Sequence, residues 1–115
     1  MLNKFKTAKE LGKMITLLES FVIKKISGKK FEITFLKLRR DNEALWSVSD
    51  RINYFLDQIF HDIDVYVPNK QLLAYFKENP NSHEESIDEG ELRKRVLKNL
   101  NSIKKILRGI EAKVK

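Results

Sequence analysis

The sequence predicts an all-α fold, an antiparallel four-helix bundle, and three observations carry that prediction. Apolar residues recur at intervals of three and four in several long stretches, the spacing of one helix face. Only two prolines and four glycines fall in 115 residues, so long uninterrupted elements are expected. The stretches are separated by short polar breaks, as in bundles whose neighbouring helices pack side by side.

The first stretch opens with Thr7 and Glu10 in capping-box spacing. Leu11, Met14, Ile15, Leu18, Phe21, Val22 and Ile26 then share a face, predicting a helix over residues 7–26. Ser27-Gly28 should break it, because glycine accepts the left-handed conformation that ends many helices. Residues 29–40 fit two patterns. Phe31, Ile33 and Phe35 alternate with Glu32 and Thr34, as in a strand. Phe31, Thr34, Phe35 and Leu38 equally share a helix face. The short preceding break favours a helix paired with the first over a strand without a partner. Residues 41–46 read as a connection or the frayed start of the next helix, with Trp46 as a plug at the edge of the core.

The organising stretch is SVSDRINYFLDQIFHDIDVYV, residues 47–67. Ser47 and Asp50 can satisfy free amides at a helix start. Ile52, Phe55, Leu56, Ile59, Phe60 and Ile63 make its apolar face, and Arg51, Asn53, Asp57, Gln58, His61, Asp62 and Asp64 its polar one. Pro68 should end the run. Residues 68–86 are the least regular. NKQLLAYF can form a short helix whose Leu72, Leu73, Tyr75 and Phe76 fold back on the core, and KENPNSHEES has the composition of an exposed turn. Asp88 with Glu91 marks the last helix start, and Ile87 before it can act as a hydrophobic staple. Leu92, Val96, Leu100, Ile103, Leu107 and Ile110 form that helix's apolar face, opposite Arg93, Lys94, Lys98, Lys105 and Arg108.

This length suits a single domain spanning residues 1–115. A 42% hydrophobic content with seven phenylalanines is too rich for a disordered chain. There is no cysteine, hence no disulfide framework and no thiolate chemistry, and a reducing cytoplasm is the expected setting. The N-terminal residues lack the charge-free apolar core of a signal peptide, and no apolar run is long enough to span a membrane.

Catalytic chemistry is not expected. The two histidines, His61 and His83, stand apart, and no metal-ligand spacing, phosphate loop or nucleophile elbow occurs. No metal and no cofactor are predicted. His61 beside Asp62 and Asp64 reads more simply as a surface histidine on an acidic helix end. Charge is more informative. The chain carries a net +7, yet residues 57–91 hold nine carboxylates against Lys70 and Lys77. The acidic middle therefore opposes the sign of the whole. The basic residues before and after it make a small helical nucleic-acid-binding regulator the rival reading, although no aromatic is interleaved among the lysines as a stacking platform requires.

The segments LLESFVIKKISGKKFEITFLKL, LDQIFHDIDVYVP and SIDEGELRKRVLKNLNSI together resemble the bacterial self-protective, colicin-like immunity family of the colicin D type. The resemblance spans roughly Leu11 to Leu107 and implies a helix for residues 29–40. It also implies a non-enzymatic inhibitor made by a toxin-producing cell. Its partner would be the C-terminal nuclease domain, RNA-cleaving, of a bacteriocin or contact-dependent inhibition toxin. A nuclease site that grips phosphates is basic, so its inhibitor offers carboxylates. The matching fragments assign toxin binding to Asp57, His61, Asp62, Asp64, Asp88, Glu89 and Glu91, with Tyr66 and Tyr75 as aromatic anchors. The colicin D inhibitor is acidic overall, whereas this chain is basic.

Overall fold

The computed structural model describes residues 4–41, 50–79 and 85–114. Five helices follow one another: α1 (Lys4–Val22), α2 (Gly28–Asp41), α3 (Asp50–Asp64), α4 (Lys70–Glu78) and α5 (Glu89–Val114). The all-helical class is what the sequence predicts, and residues 29–40 take the helical alternative. The reason lies in burial. As a helix, α2 buries Phe31 and Phe35 on one side and leaves Ile33 exposed, whereas a strand would place all three on one face.

One apolar core is built from the predicted faces. Leu11, Met14, Leu18 and Phe21 of α1, Ile52, Leu56, Ile59 and Ile63 of α3, and Leu92, Val96, Leu100 and Ile103 of α5 are all buried. Leu17 and Ile106 join them at the margins of the same faces. Phe21 and Phe31 stack with ring centroids 4.3 Å apart and planes 6° from parallel. The long α5 packs against α1, α2 and α3, so it is the spine of the fold. No described helix is long and apolar enough to cross a membrane.

The boundaries depart from the sequence reading in informative ways. The first helix begins at Lys4, so Thr7 lies within it rather than at its cap. It ends at Val22, and the residue in the left-handed conformation is Lys24, with φ 66°, not Gly28. Lys24 N donates to Phe21 O (3.1 Å) and Lys25 N to Ser20 O (2.9 Å), the paired closure of a Schellman turn. Ser27 caps the next helix instead of breaking the last one: its Oγ accepts from Lys30 N at 3.2 Å. α3 stops at Asp64, three residues before the predicted end, because residues 65–67 leave the helix to join a neighbour. Val67 N donates to Ile87 O (3.0 Å) and Ile87 N to Val65 O (2.9 Å), a one-residue parallel bridge between Tyr66 and Ile87. Phe60, read as core, is half exposed, since it sits at the edge of the apolar stripe. α4 forms where expected, with Asn69 Oδ1 accepting from Leu72 N at 2.9 Å, but none of its residues is buried. Its apolar side chains therefore do not fold back on the core. The predicted cap at Ser47 and the plug at Trp46 lie outside the described residues.

Candidate functional site

The acidic middle of the sequence gathers where the end of α3 meets the start of α5. The Tyr66–Ile87 bridge brings those two chain ends together and closes the base of the excursion that carries α4. Asp88 starts α5 as its cap, with Oδ1 accepting from Glu91 N at 2.8 Å. Ile87 and Leu92 are both buried in the core, as a staple requires.

Arg95, one turn after Glu91, draws three carboxylates to one guanidinium. It donates to Glu85 (2.8 Å), Glu91 (3.1 Å) and Asp62 (3.3 Å). Three negative charges around one positive leave the locality acidic. Arg95's pKa is raised, chiefly by its hydrogen bond to Glu85 and then by those to Glu91 and Asp62, which together outweigh burial. Burial pushes the Asp62 carboxyl up, and Arg95 only partly offsets it. The hydrogen bond from Arg95 holds the exposed Glu85 below the usual carboxylate range.

A second knot forms on the other flank of α5. Glu89 Oε1 accepts from Gly28 N at 2.5 Å, so a side chain of α5 caps the N-terminus of α2. Arg93, four residues on, donates to Glu89 Oε2 (3.1 Å) and to Phe21 O (2.8 Å), and its guanidinium lies over the Phe21 ring, 4.6 Å from the centroid. One i, i+4 pair thus satisfies the end of α1 and the beginning of α2. Tyr66 Oη donates to the same Glu89 oxygen at 3.4 Å. Burial, with Glu89 nearby, pushes the Tyr66 hydroxyl up to about 12. Burial would raise the Glu89 carboxyl too, but the Gly28 N–H and Arg93 together bring it below its usual value.

These contacts sort the nine residues assigned from sequence. Asp62 and Tyr66 are buried. Glu89, Glu91 and Asp88 hold the two knots and the cap. Asp57 pairs with the buried Arg39 at 2.7 Å, and the desolvation of Arg39 lowers its pKa despite Asp57. His61, Asp64 and Tyr75 remain exposed, and Asp64 has no hydrogen-bond or ion-pair partner among the described residues. His83 lies outside those residues. Among the described residues no group of three or more His, Asp or Glu side chains is placed to hold a metal ion.

Sequence reasoning missed two features of the surface. Tyr54 and Phe60 are exposed aromatics on the same helix as Asp57, His61 and Asp64. A groove of about 170 Å³ separates α2 from α3, lined by Glu32, Leu36, Phe60, Ile63, Asp64 and Tyr66. Phe60's place at the margin of the stripe was the available signal for its exposure. Nothing in the sequence pairs Glu32 with Asp64.

A profile of the bacterial self-protective colicin-like immunity family matches residues 10–103. The chain belongs to the colicin-like immunity family. That match spans α1 from Glu10 through most of α5, so it includes both knots and the exposed face of α3. No curated protein and no solved structure matches the chain.

Proposed function

We propose that this chain is the non-enzymatic inhibitor of a cognate bacterial toxin, acting in the cytoplasm by covering the substrate site of the toxin's C-terminal RNA-cleaving domain. Membership of the colicin-like immunity family over residues 10–103 is the observation that carries the reading. Charge supports the choice of face. In a chain of net +7, the exposed side of α3 carries Asp57, His61 and Asp64, and exposed Asp88 follows at the start of α5. A phosphate-gripping surface is attracted to such a face, and long-range attraction raises the association rate. Tyr75 and Leu72 on α4 supply exposed apolar area of the kind that anchors interfaces.

The internal contacts also support an antiparallel frame of the four long helices, with α4 as an addition. Arg39 near the end of α2 meets Asp57 at the middle of α3, while Glu32 early in α2 shares a groove with Asp64 at the end of α3. Asp62 late in α3 likewise meets Arg95 early in α5.

The test is capture by the tagged protein from the cell that encodes it, followed by mass spectrometry. Recovery of one toxin C-terminal domain, retained in moderate salt and unable to cleave RNA while bound, is the expected result. Recovery of RNA or ribosomal material that is lost steeply as salt rises would overturn it in favour of a nucleic-acid-binding regulator.

A further inference from the structure

We propose that the groove between α2 and α3 is a receptor for one arginine side chain of a protein partner. The groove's size comes first. At about 170 Å³ it is smaller than the roughly 300–1,000 Å³ of pockets that enclose cofactors or drug-sized ligands, and it suits a single side chain. About half of its lining is apolar, from Leu36, Ile63 and the half-exposed Phe60 ring. They match the methylene stem of a long side chain. Two carboxylates add charge to it, Glu32 from α2 and Asp64 from the last turn of α3, and the largely buried Tyr66 completes the lining.

Neither Glu32 nor Asp64 has an ion-pair partner among the described residues, although Lys29 stands one turn before Glu32 on the same helix. Both carboxylates are available to an incoming cation. This distinguishes the groove from the two knots of α5, whose carboxylates already have guanidinium partners. Arginine fits better than lysine. A planar guanidinium can stack on the Phe60 face and still direct its N–H fork at a carboxylate, whereas an ammonium is a strongly hydrated point charge. The toxin-binding reading supplies the source of that arginine, since a nuclease surface built for phosphate is rich in guanidinium groups. The chemistry of the groove does not depend on that reading.

The probe is N-acetyl-L-argininamide, titrated into the full 15N-labelled chain and followed by amide chemical shifts. N-acetyl-L-citrullinamide, which is neutral and nearly isosteric, is the control. Saturable shifts centred on Glu32, Leu36, Phe60 and Asp64 are expected, with Kd on the order of 1 mM or weaker. The citrulline compound should bind about tenfold more weakly, because the charge-assisted half of the contact is gone. A Glu32→Gln/Asp64→Asn double variant should lose the arginine preference while keeping its thermal transition, as neither side chain is buried. Equal responses to the two compounds, or an unchanged response in the double variant, would overturn the proposal. Arginine binding in a chain that captures no toxin would support the groove and remove the reading above. Toxin capture that is indifferent to the double substitution, together with no saturable shift, would remove the groove alone.

Discussion

Glu89 and Asp64 are both carboxylates in the acidic middle of the chain, and they stand in opposite situations. Glu89 is held by Gly28 N, Tyr66 Oη and Arg93, and it ties the turn between α1 and α2 to the spine of the fold. Asp64 closes α3 in solvent with no partner among the described residues. The difference teaches that acidity along a sequence is not acidity on offer. Much of the negative charge of residues 57–91 is consumed by Arg39, Arg93 and Arg95 or by a helix cap, and the described carboxylates left without such a partner are Asp64 on α3 and Glu78 on α4. Substitutions on each side of this divide should behave as opposites: loss of stability in the tied region, loss of partner binding on the free face.

The largest effect belongs to the apolar floor of the tied region. Phe31 is buried, stacked on Phe21 and in ring contact with Phe35. Phe31→Ala should cost about 3–5 kcal/mol, a large share of the ~5–15 kcal/mol that holds a domain together. Urea unfolding measures it. A loss below about 1 kcal/mol would mean that Phe31 is not packed between Phe21 and Phe35 as described.

Glycine gives the next test, because the same substitution should change sign between two sites. A Cβ on Gly28 would fall 2.6 Å from Glu89 Oε1 and still closer to Tyr66 Oη, so Gly28→Ala must displace the knot and should cost about 1–3 kcal/mol. A Cβ on Gly12, within α1, meets nothing within 4 Å. Gly12→Ala should instead stabilise by about 0.5–1 kcal/mol through helix propensity. Thermal midpoints that shift in the same direction for both would break the contrast.

Smaller still is the pH dependence of the tied carboxylate. Glu89's folded pKa lies below its unfolded value, so its ionised form stabilises the fold. That contribution is complete above the unfolded value near 4.3 and is lost as pH falls through the folded one. Glu89→Gln should cost about 1 kcal/mol at neutral pH and flatten the fall in stability on acidification. Asp62 acts with the opposite sign. Its raised pKa makes ionisation oppose folding, so stability from this group declines as pH rises through its folded value. Urea midpoints measured across the acid range for Glu89→Gln and Asp62→Asn should therefore diverge from the parent in opposite senses.

The division was only half legible in the sequence. Helix positions and the core came through because periodicity reports burial directly: Ile52, Leu56, Ile59 and Ile63 are all buried, as their spacing requires. Helix ends were less legible because they depend on distant partners. Nothing local marks Gly28 as the residue that must be small for Tyr66 and Glu89, and a lysine in the left-handed conformation at position 24 runs against local preference. The same holds for charge. Asp57, Asp62, Asp64, Glu89 and Glu91 look alike in one dimension, and only the placement of three arginines on α2 and α5 separates those that are engaged from Asp64. The apolar side of α4 was misassigned for a related reason. Amphipathic spacing says that a helix has an apolar face, not what that face meets.

The smallest stability effect is expected at Asp64, and there the contrast becomes sharpest. Asp64→Asn keeps the shape and removes a charge with no ion-pair partner among the described residues, so stability should change by no more than about 0.5 kcal/mol. If the proposed function holds, association with a basic toxin domain should nevertheless slow and lose part of its salt dependence, while dissociation changes less, as for charges that act mainly before contact. Glu89→Gln should show the reverse, with reduced stability and nearly unchanged association. Stopped-flow binding across a salt series, run on both variants beside urea unfolding, separates the two behaviours. If Asp64→Asn destabilises the fold as much as Glu89→Gln does, Asp64 belongs with the tied carboxylates and the free face of α3 shrinks accordingly. If association is unaltered by Asp64→Asn although stability holds, the partner approaches from another side of the bundle, and exposed Tyr75 and Leu72 on α4 become the next residues to vary.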